Sequence, residues 1–228
     1  MNAAVTEPAS QPIDPMALLP CHRRLVLTGF MGAGKTTVGR LLAARLGWEF
    51  LDLDALIEAR AGMPVPSIFS AHGEAHFRRL ESQALVSALG RNHIVLALGG
   101  GAPEVLTNRL LLEQTPGTAT VFLDAPFSVL FDRCMIQALN PEIPDSSGRA
   151  SEVTDTAVSF SDRTPSTLLG QARPIFADPA AAEARFRTRQ PIYRRLARHT
   201  IQTADLSSDQ AVAAILAQLA PAPPPVRL

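Results

Sequence analysis

Arg24-Leu25-Val26-Leu27-Thr28, followed by Gly29-Phe30-Met31-Gly32-Ala33-Gly34-Lys35-Thr36, is the stretch whose reading decides the fold. Its first five residues are mostly apolar and partly β-branched, the pattern of a buried strand. Gly29 to Gly34 is a glycine-rich turn. From Lys35 to Leu46 the apolar residues Val38, Leu41, Leu42 and Leu46 recur at helical spacing, and Gly47 closes the run. Gly29 to Thr36 fits the pattern G-x-x-x-x-G-K-[S/T] of a phosphate-binding loop. The glycines permit torsions that turn successive N–H groups inward as an anion nest, and the helix that follows adds its positive end. Lys35 is expected to place an ammonium on the β- and γ-phosphates of a nucleotide, and Thr36 a hydroxyl on Mg²⁺. The bland alternative, a glycine turn that only joins strand to helix, is disfavoured by the full pattern in its right context.

Working outward, strands and helices alternate. Strands are expected at Trp48–Leu53, His93–Leu98, Thr118–Leu123 and His199–Thr203. Helices are expected at Ala55–Ala61, at Ser67–Leu89 with an interruption near Gly73, from Pro103 to near Gln114, at Phe127–Cys134, at Pro179–Arg198 and at Ser208–Leu219. This alternation predicts an α/β chain with a parallel sheet and helices on both faces. Residues 140–171 are dense in Pro, Ser, Thr, Asp and Gly and read as a long loop. Residues 1–20 read as a disordered leader without a charged n-region or apolar h-region, and residues 220–228 as a Pro-rich disordered tail. One domain over residues 21–219 remains.

Composition narrows the function. Basic and acidic side chains balance at 21 each. With no aromatic platform either, a nucleic-acid role has little support. No run of eighteen apolar residues suggests a membrane span. Two cysteines are too few for a disulfide scaffold, so the expected location is cytoplasmic. Of the 21 basic residues, 20 are Arg and one is Lys, Lys35. A general bias toward Arg accounts for the 20. The surviving Lys falls where a compact ammonium is needed and a planar guanidinium fits poorly.

Three further groups of residues carry candidate chemistry. Asp52 and Asp54 fall at the end of the second expected strand, where positions i and i+2 project to one side of the ligand crevice. A metal ligand and a partner for a hydroxyl substrate are both possible there. Asp54 could equally cap a helix beginning at Ala55, and the two roles are compatible. Gly99-Gly100-Gly101 ends an apolar strand and lets backbone approach a ligand closely; a plain flexible turn is the alternative. Arg78 and Glu81 are i, i+3 neighbours on a helix, by default a solvated ion pair. Arg173 and Arg189 suit carboxylates or phosphates but are weak signals singly.

Taken in order, these residues resemble the shikimate kinase family. Gly29 to Arg40, Asp52-x-Asp54 with Ile57-Glu58, Ile68-Phe69, Gly73-Glu74, Phe77-Arg78-x-x-Glu81, Gly99-Gly100-Gly101, Arg173-Pro174 and Arg189-x-Pro191-x-Tyr193 follow the family's series from about Arg24 to Leu219. The resemblance implies a three-layer P-loop NTPase fold with a substrate-binding helical segment and a lid. It implies transfer of the ATP γ-phosphate to the 3-hydroxyl of shikimate, with one Mg²⁺, by a monomer. By resemblance, Lys35, Asp54 and Arg173 are catalytic. Gly32, Ala33, Gly34, Lys35, Thr36, Thr37, Arg133 and Arg173 would bind ATP. Asp54, Arg78, Gly99, Gly100, Gly101 and Arg189 would bind shikimate. Thr36 and Asp52 would serve the metal, and Glu81 would orient Arg78.

One departure stands out. The family usually has a short lid, whereas here a long polar insertion occupies about residues 135–175. Insertions of this kind cost little stability, and a tolerated embellishment is the expectation. Two rival readings remain. One is another small-molecule kinase on the same loop, such as a gluconate kinase, against which the triple glycine, Phe77-Arg78 and Arg189 argue. The other is a catalytically idle nucleotide-binding module, against which Lys35, Thr36, Asp52 and Asp54 argue.

Overall fold

A computed structural model describes residues 21–139 and 178–220. The leader, most of the expected lid with Arg173, and the Pro-rich tail beyond Ala220 lie outside the described residues. Five strands form one parallel sheet: β1 (Arg24–Thr28), β2 (Glu49–Asp52), β3 (Ile94–Ala97), β4 (Thr118–Asp124) and β5 (His199–Gln202), in the order β2-β3-β1-β4-β5. The helices are α1 (Lys35–Leu46), α2 (Leu53–Ala61), α3 (Val65–Leu89), α4 (Leu106–Gln114), α5 (Phe127–Leu139), α6 (Pro179–Leu196) and α7 (Ser208–Leu219). A 3₁₀ turn, Ala102–Glu104, precedes α4.

The sheet is central because its strands are apolar on both faces. Leu25 and Leu27 enter one core together with α1, α5, α6 and α7 residues such as Leu42, Leu130, Phe186 and Ile215. Val26, pointing the other way, enters a second core with Ile57, Ile68, Leu85 and Leu112 of α2, α3 and α4. All three strand residues are fully buried. Alternating side chains on a two-faced strand therefore account for the three layers. Among the described residues, no helix is long and apolar enough to cross a membrane.

Several boundaries differ from the sequence expectation. β2 ends at Asp52 and α2 begins at Leu53, so Asp54 sits in a helical first turn and not on extended chain. The cap is Asp52, whose side chain accepts from the N–H groups of Asp54 and Ala55. The helix expected from Pro103 is split, because Val105 is extended between the 3₁₀ turn and α4. α3 starts at Val65, two residues early, and is broken at Gly73, whose φ of 74° and ψ of 173° are not helical. α5 runs on to Leu139, so the first residues of the expected lid are helical.

β1 is flanked by β3 and β4, and its chain leaves toward β2 while β3 crosses over it to reach β4. Such a reversal opens a crevice beyond the carboxyl ends of the strands. The loops after β1, β2 and β3 all empty into it.

Candidate active site

The loop after β1 is shaped by glycine. Gly32 and Gly34 adopt φ of 80° and 84°, a region where a side chain is strained. A Cβ at Gly32 would also lie 2.5 Å from the Leu130 carbonyl oxygen of α5. Lys35 heads α1, and its Nζ donates to the carbonyls of Gly29 at 2.9 Å and Phe30 at 3.1 Å. The ammonium thus folds back over the loop that precedes it. Thr36 Oγ1 donates to Asp52 Oδ2 at 3.0 Å. Asp52 therefore divides its oxygens: Oδ1 caps α2 and Oδ2 meets the hydroxyl of α1. Two hard oxygen donors beside a phosphate loop suit a Mg²⁺ that keeps most of its shell from water and phosphate. Among the described residues, no cluster of three His, Cys, Asp or Glu offers an all-protein metal cage.

On one side of this loop is a cavity of about 340 Å³, lined by Gly32, Ala33, Gly34, Thr37, Arg133 and Thr203. Arg133 of α5 is tied down there. Its guanidinium donates to the carbonyls of Thr203 at 2.5 Å and Ala204 at 3.2 Å, after β5.

On the other side is a cavity of about 580 Å³. Asp54, Arg78, Glu104 and Arg189 line it, with Gly99, Gly100 and Gly101 forming one wall. Phe69 and Phe77 contribute apolar surface. The triple glycine is required by close approach. A Cβ at Gly99 would lie 2.7 Å from Asp54 Oδ1, and one at Gly101 would lie 2.5 Å from Arg78 Nη1. The middle carbonyl, Gly100 O, accepts from the buried Tyr193 hydroxyl at 2.6 Å. Burial pushes that phenol up, and it stays a donor.

The charges of this cavity interlock. Arg78 donates to Glu81 at 2.9 Å and Glu74 at 3.1 Å. Glu81 is 1% exposed, so this is no solvated pair. Burial pushes the Glu81 carboxyl up and Arg78 pulls it back. Burial works against the Arg78 charge, but Glu81 and Glu74 outweigh it and hold the guanidinium above its ordinary range. Asp54 is pushed from 3.8 to about 6, first by burial and then by the Asp52 charge, with Lys35 opposing. Arg189 reaches the cavity from α6. That helix is fixed at the crevice by the buried Asp124 of β4, which accepts from Gln190 and Arg194, both at 3.0 Å.

The structure thus gathers Asp54, Arg78, the three glycines and Arg189 around one cavity. It gathers Gly32, Ala33, Gly34, Thr37 and Arg133 around the other, while Thr36 bonds Asp52 and Lys35 folds over the loop. Sequence reasoning missed Glu104, which pairs with Arg189 at 2.7 Å and approaches Arg78 at 3.9 Å. It also missed Glu74 as an Arg78 partner, although its i, i+4 spacing was the available signal. Nothing local marks Glu104, because its partner is 85 residues away.

Comparison with known proteins points one way. The family model described as shikimate kinase matches residues 31–167. A shikimate kinase of Bordetella avium is 49% identical over 121 residues, 53% of this chain and 57% of that protein. The first relatives are matched over 57–64% of their own length, less than two thirds. A shikimate kinase of Methylococcus capsulatus is 37% identical over 195 residues, 86% of this chain and 91% of that protein. Among solved structures, shikimate kinase from Acinetobacter baumannii in complex with shikimate superposes with a TM-score of 0.65 at 31% identity. The match covers 87% of this chain and 92% of that one.

Proposed function

Because the chain belongs to the shikimate kinase family, we propose that it transfers the γ-phosphate of ATP to the 3-hydroxyl of shikimate. The observation that carries this reading is a phosphate-loop cavity and a second, arginine-lined cavity whose Asp54 lies within reach of the Lys35 and Asp52 charges. One is built from the phosphate loop; the other presents two arginines together with the Asp54 carboxylate. A ring acid with hydroxyls on its far side matches the second cavity in charge at both ends.

In this reading the nucleotide phosphates lie along the N–H groups of the loop and the start of α1, with its base toward Arg133. Lys35 moves from the loop carbonyls to the phosphates, where its charge counters that on the transferring group. Thr36 and Asp52 hold Mg²⁺, which when bound supplies positive charge to the phosphates. Arg78 and Arg189 grip the acceptor carboxylate, Arg78 being oriented by Glu81. Asp54 accepts a hydrogen bond from an acceptor hydroxyl and is the group placed to take its proton. Gly99, Gly100 and Gly101 let the ring lie against backbone. Arg173 is part of the proposal by resemblance, as a lid residue on the phosphates. One bound Mg²⁺, a monomeric state and a cytoplasmic location also rest on the resemblance.

The test is ADP release with shikimate, quinate or gluconate as acceptor, against a no-acceptor control. Shikimate-dependent turnover well above the other acceptors is expected. Turnover with gluconate alone, or ADP release indifferent to any acceptor, would overturn the proposal.

A further inference from the structure

Glu104 lies on the 3₁₀ turn directly after the triple glycine. A single oxygen, Oε2, sits 2.7 Å from Arg189 Nη2 and 3.9 Å from Arg78 Nη2. Among the described residues, Glu104 is the carboxylate within 4 Å of both guanidiniums; Glu81 bonds Arg78 and acts on Arg189 only through its charge at longer range. Two guanidiniums facing one cavity repel each other, and an anion between them relieves that repulsion. The acceptor carboxylate would seek the same donors.

We infer that Glu104 is an intramolecular stand-in for the acceptor carboxylate: it occupies the seat between Arg78 and Arg189 and swings out when the acceptor binds. This inference rests on the proposed acceptor site and adds a residue to it.

The geometry favours a swing of the side chain alone. The turn backbone is pinned, since Arg109 Nη1 donates to the carbonyls of Pro103 at 2.7 Å and Glu104 at 3.0 Å. Asn108, fully buried, donates to the Ala102 carbonyl at 3.0 Å. The Glu104 side chain itself is 34% exposed, against 12% for Arg189 and 1% for Glu81. It has solvent to move into; Glu81 has none. Arg78 keeps Glu74 and Glu81 after Glu104 leaves, so one arginine remains aimed while the other is released to the acceptor.

The consequence is selectivity. Binding exchanges one carboxylate for another, so the net ionic gain is small. An acceptor must then earn affinity through its hydroxyls at Asp54. A plain carboxylate, with no hydroxyls, is turned away by a seat already filled.

The experiment compares the unaltered chain with Glu104→Gln, measuring shikimate Kd by calorimetry, kcat, and inhibition by benzoate. Removing the internal competitor should tighten shikimate about 3- to 10-fold and benzoate by at least as much. A role limited to orienting the arginines predicts the reverse, weaker binding of both anions. Unchanged or weaker binding, in a chain that still turns over shikimate, overturns the stand-in alone. Absence of shikimate binding and turnover in the unaltered chain overturns both the stand-in and the acceptor assignment.

Discussion

The Thr36 hydroxyl donates to the Asp52 carboxylate at 3.0 Å, joining the first turn of α1 to the end of β2. The two elements are not sheet neighbours in origin, because β3 lies between β1 and β2. Further along, Gly39 and Arg40 of α1 pack on Phe50 of β2; the hydrogen bond forms where the two elements meet at the crevice.

Asp52→Asn separates the two jobs of that residue. Asn caps a helix as well as Asp, so stability should stay within about 0.5 kcal/mol. The charge facing Thr36 is lost, and the Mg²⁺ concentration for half-maximal activity should rise about tenfold or more. A metal titration of activity, paired with a melting curve, checks both halves.

Lys35→Arg leaves the net charge unchanged. The longer, planar fork cannot fold onto the Gly29 and Phe30 carbonyls as the ammonium does. A fall in kcat of about 100-fold or more is expected, at nearly unchanged melting temperature. Near-normal turnover would show that this site needs only a positive charge.

Asp54 makes a pH-dependent prediction. Its folded titration lies at about 6, above the ordinary 3.8, with Asp52, Glu58 and Glu81 adding negative charge and Lys35 and Arg78 positive charge nearby. Between those pH values the folded chain holds the proton more tightly than the unfolded one, so stability falls as pH rises. Asp54 keeps exposed surface, so solvent screens its charge and the cost at pH 8 is well below what the full shift would give. In buffer with EDTA, Asp54→Asn should therefore melt higher than the unaltered chain at pH 8, an advantage that fades toward pH 4. Parallel melting curves at all pH values would contradict the raised Asp54 titration.

Glu81→Ala leaves the Arg78 guanidinium with Glu74 and Glu104 only. A buried partner is removed, but Arg78 is partly exposed, so a loss of about 1–3 kcal/mol is expected. KM for shikimate should rise about tenfold as the fork loses its aim. Steady-state kinetics with a denaturant melt reads both.

Gly101→Ala puts a methyl group within 2.5 Å of Arg78 Nη1, and Gly99→Ala one within 2.7 Å of Asp54 Oδ1. The atoms struck are ends of side chains, which can move. Fold stability should change by less than about 1 kcal/mol in each, while acceptor KM rises about tenfold. Gly32→Ala meets the Leu130 carbonyl instead, at a positive φ, and should lose stability outright.

Much of the molecule was legible from residues near one another in the chain. The phosphate loop is a matter of glycine torsions and one helix start, all within Gly29 to Thr36, and those signals are local. The apolar runs of β1, β3 and β4 announce strands covered on both faces. Composition and the loop pattern together drew attention to Lys35, which heads α1 with its ammonium on the Gly29 and Phe30 carbonyls.

Tertiary structure decided what depends on where elements end and which ends meet. Asp52 and Asp54 are equally good caps by type; the choice falls to Asp52 because β2 pairs with β3 through Asp52 and Ala97 before the helix begins. Arg78 and Glu81 read as a solvated pair until the second core buries Glu81. Glu104 meets Arg189 across 85 residues, and Arg133 meets Thr203 across 70, only because the sheet order brings α6 beside the β3 loop and β5 beside α5. The local pattern was in the sequence because backbone torsion and period act between near neighbours. The charge assignments of the site were not, because they depend on burial and on contacts that exist only once the strands have taken their places in the sheet.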